Sequence, residues 1–206
     1  MSQISFLATL TVSTSLIGAT SAPTFVRAGG PPAATPCASG MVCDPVLGVA
    51  LTPPRGWTIP PRGHFPLHSL IFWTIIPGKI DVRLHLAIAP LGVTTACGDA
   101  QAVSVAAAWI GRSYPHRGIA HTVTTMAGAP AIVLKGVPGE PDSGLEIVVA
   151  HRGLLYSITT FDYARTGLSP SQRFALASLR FIPRHGPFPA SPDAALAHTL
   201  RTCARE

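Results

Sequence analysis

Four runs rich in β-branched and aromatic residues crowd into about forty positions near the middle of the chain: "HTVTTM", "AIVLKGV", "LEIVVAH" and "LLYSITTF". The breaks between them are "AGAP", "PGEPDSG" and "RG". Parallel neighbours need a crossover of about a dozen residues or more, and none of these breaks has room for one. The segment is therefore restricted to an antiparallel meander, with Gly and Pro marking each reversal. Whatever else the chain forms has to pack around that sheet.

The flanking segments fit the same frame. Residues 46–52 read as a strand, and "SLIFWTII", residues 69–76, as a buried central strand. "IDVRLHLAIAP" alternates, with Val82, Leu84, Leu86 and Ile88 on one side and Asp81, Arg83 and His85 on the other. That pattern predicts a half-buried strand, paired with its predecessor as a hairpin across "PGK". "GDAQAVSVAAAWIGR" has Asp99 in N-cap position and Ala102, Val105, Ala106, Trp109 and Ile110 at helical spacing. It predicts an amphipathic helix with Trp109 as its heaviest core contact. Ser169, Pro170 and Gln172 make a capping box with proline at the first helical position, followed by Phe174, Ala177, Ser178 and Phe181. Ser191 and Pro192 repeat the start signal before a last helix with Leu196, Leu200 and Cys203 at i, i+4 and i+7. The predicted fold class is α+β, an antiparallel sheet with helices packed on its faces.

"GVALTPPRGWTIP" shows how the first strand must end. Neither Pro53 nor Pro54 can donate to a ladder, so the strand stops there. Arg55-Gly56 supplies a turn, and Trp57 then returns to cap one end of the core. Trp57 has two readings, a ligand platform or a packing residue.

A strand ending in Pro-Pro-x-Gly-Trp resembles the opening of bacterial PsbP-related and DcrB-like extracytoplasmic domains. Three further segments are similar to that family in the same order: "MAGAPAIVLKG", "LEIVVAHRGLLYSITT" and "FALASLRFIP". The likeness spans residues 46–183. It implies a Mog/PsbP-type α/β/α sandwich, with an antiparallel sheet between helices. It also implies a role in binding or assembly, with no catalytic residues to carry over. The Pro/His-rich segment "PPRGHFPLH", residues 60–68, and the last helix with Cys203 depart from the pattern.

The remaining signals concern compartment. Residues 1–28 read as a signal peptide: a short apolar, Ser/Thr-rich stretch from Ile4 to Ile17, then the small-residue patterns Thr20-Ser21-Ala22 and Val26-Arg27-Ala28. Its first residues, "MSQ", carry no basic charge. Residues 29–45 read as a linker with a local cysteine pair, and 184–206 as a helical extension of the domain. Four cysteines suit two disulfides in an exported chain, although four allow three connectivities. A bridge between Cys37 and Cys43 closes a local loop and leaves Cys97 to join Cys203. A zinc site is disfavoured because no close Cys-x-x-Cys pair is present. No later segment is long and apolar enough for a transmembrane helix.

Charge and motifs exclude several functions. The formal net charge is +6, yet charged residues are only 12% of the chain and the basic residues are scattered, so no nucleic-acid patch is expected. Of the fifteen Lys and Arg residues only Lys79 and Lys135 are lysine. There is no Gly-x-Ser-x-Gly elbow, no His-Glu-x-x-His, no phosphate loop and no dinucleotide fingerprint. No cofactor is expected. The eight histidines include His64 and His68, four apart in the 60–68 loop, His85 on its strand, and His116 and His121 flanking the return to the sheet. Imidazole pairs of this kind are candidate zinc or copper ligands.

Three functional readings follow. The first is a secreted or envelope binding or assembly module without enzymatic activity. Its partner would be an envelope or extracellular protein, met through the sheet edge or a surface formed by Trp57, His64 and His68. The alternative is a metal-binding or metal-dependent hydrolytic protein using His64 and His68. The third is a carrier of a small apolar ligand between sheet and helix.

Overall fold

In the computed structural model the meander is antiparallel throughout and forms two-thirds of a six-stranded sheet. Its strands are β6 (Ala120–Met126), β7 (Ala129–Val137), β8 (Gly144–His151) and β9 (Leu154–Phe161). The predicted hairpin of β4 (Leu70–Ile75) and β5 (Arg83–Val93) joins it, because β5 pairs antiparallel with β9. The order across the sheet is β4-β5-β9-β8-β7-β6. The structure describes residues 35–37, 40–59, 69–75, 83–94, 96–137, 144–161, 167–189 and 193–203. All of them belong to one unit, Pro31–Glu206. The expected signal peptide lies outside the described residues.

Two of the turns explain the tightness of the meander. Ala127 and Gly128 have φ of 50° and 78°, and Arg152 and Gly153 have 52° and 76°. Positive φ at both central residues is the type I′ signature, whose twist matches that of the flanking strands.

The long alternating strands give the sheet two apolar faces. On one, Ala131, Ile147, Tyr156 and Ile158 pack with Phe72 and Ile88. On the other, Ile132, Leu134, Val148, Ala150 and Leu155 meet α1 (Asp99–Ser113) and α3 (Ala194–Thr202). The first face is covered by Leu47, Val49 and Leu51 of a second, small sheet and by Ala175, Leu176 and Leu179 in and after α2 (Pro170–Ala177). The small sheet has the order β1-β2-β3-β10, from Thr35–Pro36, Val42–Asp44, Val49–Leu51 and Arg180–Phe181. Antiparallel sheets and three helices make the fold α+β, as the sequence predicts.

Several local expectations are corrected. Residues 35–44, inside the expected 29–45 linker, supply β1 and β2, held together where Cys37 bonds to Cys43. The strand expected over 46–52 is shortened to β3. Asp44 Oδ1 accepts from the Val46 and Leu47 amides at 3.0 and 2.9 Å, which turns the chain before it. Gly98, not Asp99, is the N-cap of α1. Trp109 is only partly buried, and the core of α1 is Ala102, Val103, Val105, Ala106, Ala107 and Ile110. The α2 capping box is as predicted, with Ser169 and Gln172 bonded reciprocally. Its inner face, however, is Gln172, Ala175 and Leu176, and Phe174 is 60% exposed. Phe181 lies in β10, not on the helix.

α3 starts at an Asp193 cap and buries Leu196 and Leu200 in the second core, so the expected 184–206 extension packs as part of the unit. Cys203 follows it and bonds to Cys97, a closure of 106 residues.

Candidate functional site

β6 begins the meander and ends the sheet. The α1 crossing carries the chain from β5 to the far edge, where β6 pairs with β7 alone in the strand order. Ala120 through Thr125 are exposed, and Val123 is 75% exposed. Natural edge strands are commonly protected by Lys, Pro, bulges or covering segments. β6, "AHTVTTM", carries no Lys, Arg, Asp, Glu or Pro, and no register shift interrupts its pairing with β7.

The turn sets which backbone groups face outward. A two-residue type I′ turn makes its flanking pair, Met126 and Ala129, a hydrogen-bonded one. Bonded pairs then recur at Thr124–Ala131, Thr122–Val133 and Ala120–Lys135. His121, Val123 and Thr125 therefore direct their N–H and C=O groups away from the sheet. The position of Pro130 agrees, because it pairs with Thr125 and owes β6 no donor.

A groove runs beside this edge. Its helical wall is Ser104, Ala107, Ala108 and Gly111, a small-residue face at i, i+3, i+4 and i+7. The Ser104 hydroxyl donates to the Ala100 carbonyl at 3.1 Å, so it is already engaged along the helix. Ile132 and Leu134 of β7 line the sheet side, with Ile119, His121 and Val123 toward the edge. The cavity is about 300 Å³. Between Asp99 and Glu140, the stretch holding α1, β6 and β7, the sequence has no acidic residue but contains Arg112, His116, Arg117, His121 and Lys135. The acid nearest in register is Glu146, paired with Leu134 on the far side of β7 from His121. It accepts from the Ser157 hydroxyl at 2.6 Å, and burial raises its pKa against that bond's opposing effect.

Of the described residues singled out from sequence, His121 lines this groove and Trp57 lies elsewhere. Trp57 is partly buried against the first core, on the sheet face opposite α1, and its backbone N–H donates to the Pro54 carbonyl at 3.1 Å. His64 and His68 lie outside the described residues, as do positions 138–143 of the meander's polar loop. Of the other histidines, His116 is exposed and His121 lines the groove. Among the described residues no three His, Cys, Asp or Glu side chains are grouped to hold a metal, and no helix is long and apolar enough to cross a membrane.

The strand at β6 is legible in the sequence, but its place at the edge is not. The signals that carry it are the missing charge in "HTVTTM" and the four small residues of α1. Compared with known proteins, the chain matches no family model and no curated protein.

Proposed function

We propose that this chain is an extracytoplasmic binding or assembly module, without enzymatic activity, that receives a partner protein at the β6 edge. The observation that carries the reading is the edge itself: an exposed, uncharged strand with the N–H and C=O groups of three residues turned outward. An extended segment that adds a strand there gains main-chain hydrogen bonds, the basis of recognition by β-augmentation. Two disulfides, which persist in oxidising compartments, support placement outside the cytoplasm. A PsbP/DcrB-like sandwich is supported by α1 and α3 on one sheet face, α2 on the other, and the Pro53-Pro54-Arg55-Gly56-Trp57 corner after β3.

A photo-crosslinking side chain placed at Thr125 in the exported protein, in the cells that make it, tests this. Position Ser171, exposed on α2, is the control. The reading requires an adduct with another protein at 125 and none at 171. Equal adducts at both positions, or none at 125, refute it.

A further inference from the structure

We infer that the partner at the β6 edge is a second copy of this chain, and that the two β6 strands pair antiparallel about a two-fold axis at Val123. The inference rests on the edge-binding reading and names its partner.

The outward N–H and C=O groups of β6 belong to His121, Val123 and Thr125, a set symmetric about Val123. Turned about a two-fold axis there, Val123 faces Val123 of the second copy, and His121 faces its Thr125. Every outward group then finds a partner, because residues in a hydrogen-bonded antiparallel pair exchange both main-chain bonds. Neighbouring registers do worse. A slip of two residues one way sets Thr125 opposite Ile119, whose N–H already donates to the Arg117 carbonyl at 2.9 Å. The same slip the other way sets His121 opposite Ala127, which lies in the turn with φ of 50°. A slip of one residue brings outward groups against inward ones.

The side chains favour the same register. A two-fold seam sets a strand against itself, so a charge near the axis would face its like, which destabilises a sheet. β6, "AHTVTTM", has no Lys, Arg, Asp or Glu to bring together. His121 and Val123 line the groove, and Thr125 shares their face by alternation. On that face the Val123 pair covers the most exposed large hydrophobic side chain among the described residues, 75% exposed in the single chain. On the other face Thr122 meets Thr124 of the second copy, a cross-strand pair that stabilises sheets. The two His121 residues stand four positions out of step, about 14 Å apart and beyond the Debye length of about 8 Å.

The large sheet then runs unbroken through both copies, and each edge strand protects the other. The seam is a seven-residue strand and the mouth of the groove, against about 20–30 residues a side in a standard stable interface. The dimer should therefore dissociate on dilution through the micromolar range.

Sedimentation velocity of the mature chain, from micromolar to millimolar concentration, should show a reversible dimer. Val123→Lys and Val123→Glu should each weaken it at least tenfold, since each opposes like charges at the axis. Mixed in equal amounts, the two variants should pair with one another, which also shows that both are folded. Thiol bridging reads the register. All four native cysteines are bridged, so an added thiol is the free one. Val123→Cys should bridge to its copy on mild oxidation, because Cα atoms of a hydrogen-bonded pair lie about 5.5 Å apart. His121→Cys alone should not bridge, yet should do so when mixed with Thr125→Cys.

A chain that stays monomeric throughout that range overturns the inference. So does a dimer indifferent to Val123→Lys, or one in which His121→Cys bridges to itself. In cells the photo-crosslinked adduct at Thr125 should have twice the mass of the mature chain. An adduct with a different protein alone overturns the inference and leaves the edge reading standing, whereas no adduct at 125 removes both.

Discussion

The Tyr156 hydroxyl donates a hydrogen bond to the Leu47 carbonyl at 2.9 Å, joining the fourth meander strand to the turn before β3 across 109 residues of chain. Tyr156 is 1% exposed, and the rings of Phe181 and Phe188 lie 5.6 and 5.3 Å from its own. The bond is the polar pin of the first core. Tyr156→Phe keeps the packing but strands a buried carbonyl, which costs about 1–3 kcal/mol. Denaturant melts should show the loss as a lower midpoint with an unchanged slope. Burial also pushes the phenol up to about 12, with Arg184 opposing. A phenol whose folded pKa is raised adds stability that is complete below its unfolded pKa, near 10, and disappears as pH rises through about 12. Alkaline unfolding of the native chain should therefore steepen across that window, and in Tyr156→Phe this contribution should be gone.

How far the sequence reveals this architecture depends on which physical term decides each feature. Short turns decide the meander, so it is legible. The α2 cap is legible because Ser169 and Gln172 satisfy one another within three residues. Strand order is a different matter. Nothing local to "HTVTTM" says that α1 deposits it at the outer edge, and only that placement turns an ordinary strand into a candidate site. The buried face of α2 is hard to read from sequence for a similar reason. Phe174 is the most apolar residue of its turn, but the approach to the small sheet is made by Ala175 and Leu176, one position on. β1 and β2 sit in a Pro- and Gly-rich stretch with no strand pattern; β1 is held by β2, and β2 by pairing with β3.

Asp99 shows the same competition between local and distant partners. Its carboxylate accepts from the Arg152 amide at 2.7 Å and the Gly153 amide at 2.9 Å, so it anchors the β8–β9 turn to the start of α1. It also sits in the helix's first turn, where negative charge is favourable. Asp99→Ala should cost about 1–3 kcal/mol, since hydrogen bonds to a charged group outweigh neutral ones. Asp99→Asn, which retains one acceptor oxygen, should lose roughly half as much. Amide hydrogen exchange at Arg152 and Gly153 should speed up in both variants, more so in the alanine one.

The two disulfides should contribute unequally. The Cys97–Cys203 bridge closes 106 residues and the Cys37–Cys43 bridge only 6. In the chain-entropy model that difference gives about 4–5 kcal/mol for the long closure and about 2 for the short one. Replacing Cys97 and Cys203 together with alanine should lower the melting temperature well below that of the Cys37/Cys43 double variant. Leu196 and Leu200 belong to the second core beside α1, so loss of the long bridge should also release α3 first. Proteolysis near the C-terminal helix would report that directly. Equal melting temperatures in the two double variants would contradict the closure argument.

Glu146 faces the same buried layer from β8. Its carboxyl is desolvated between strands, which raises its pKa above 4.5, and the Ser157 hydroxyl at 2.6 Å offsets only part of the effect. The fold therefore tolerates the neutral acid better than the carboxylate. Stability from this group is present in full below its unfolded pKa and is withdrawn as pH rises through the folded one. Glu146→Gln retains an oxygen to accept from Ser157 but never ionises. It should melt higher than the native chain at pH 7, with the gap closing as pH falls toward 4. A gap that stays constant with pH, or one that widens on acidification, would show that Glu146 is not held against its charge.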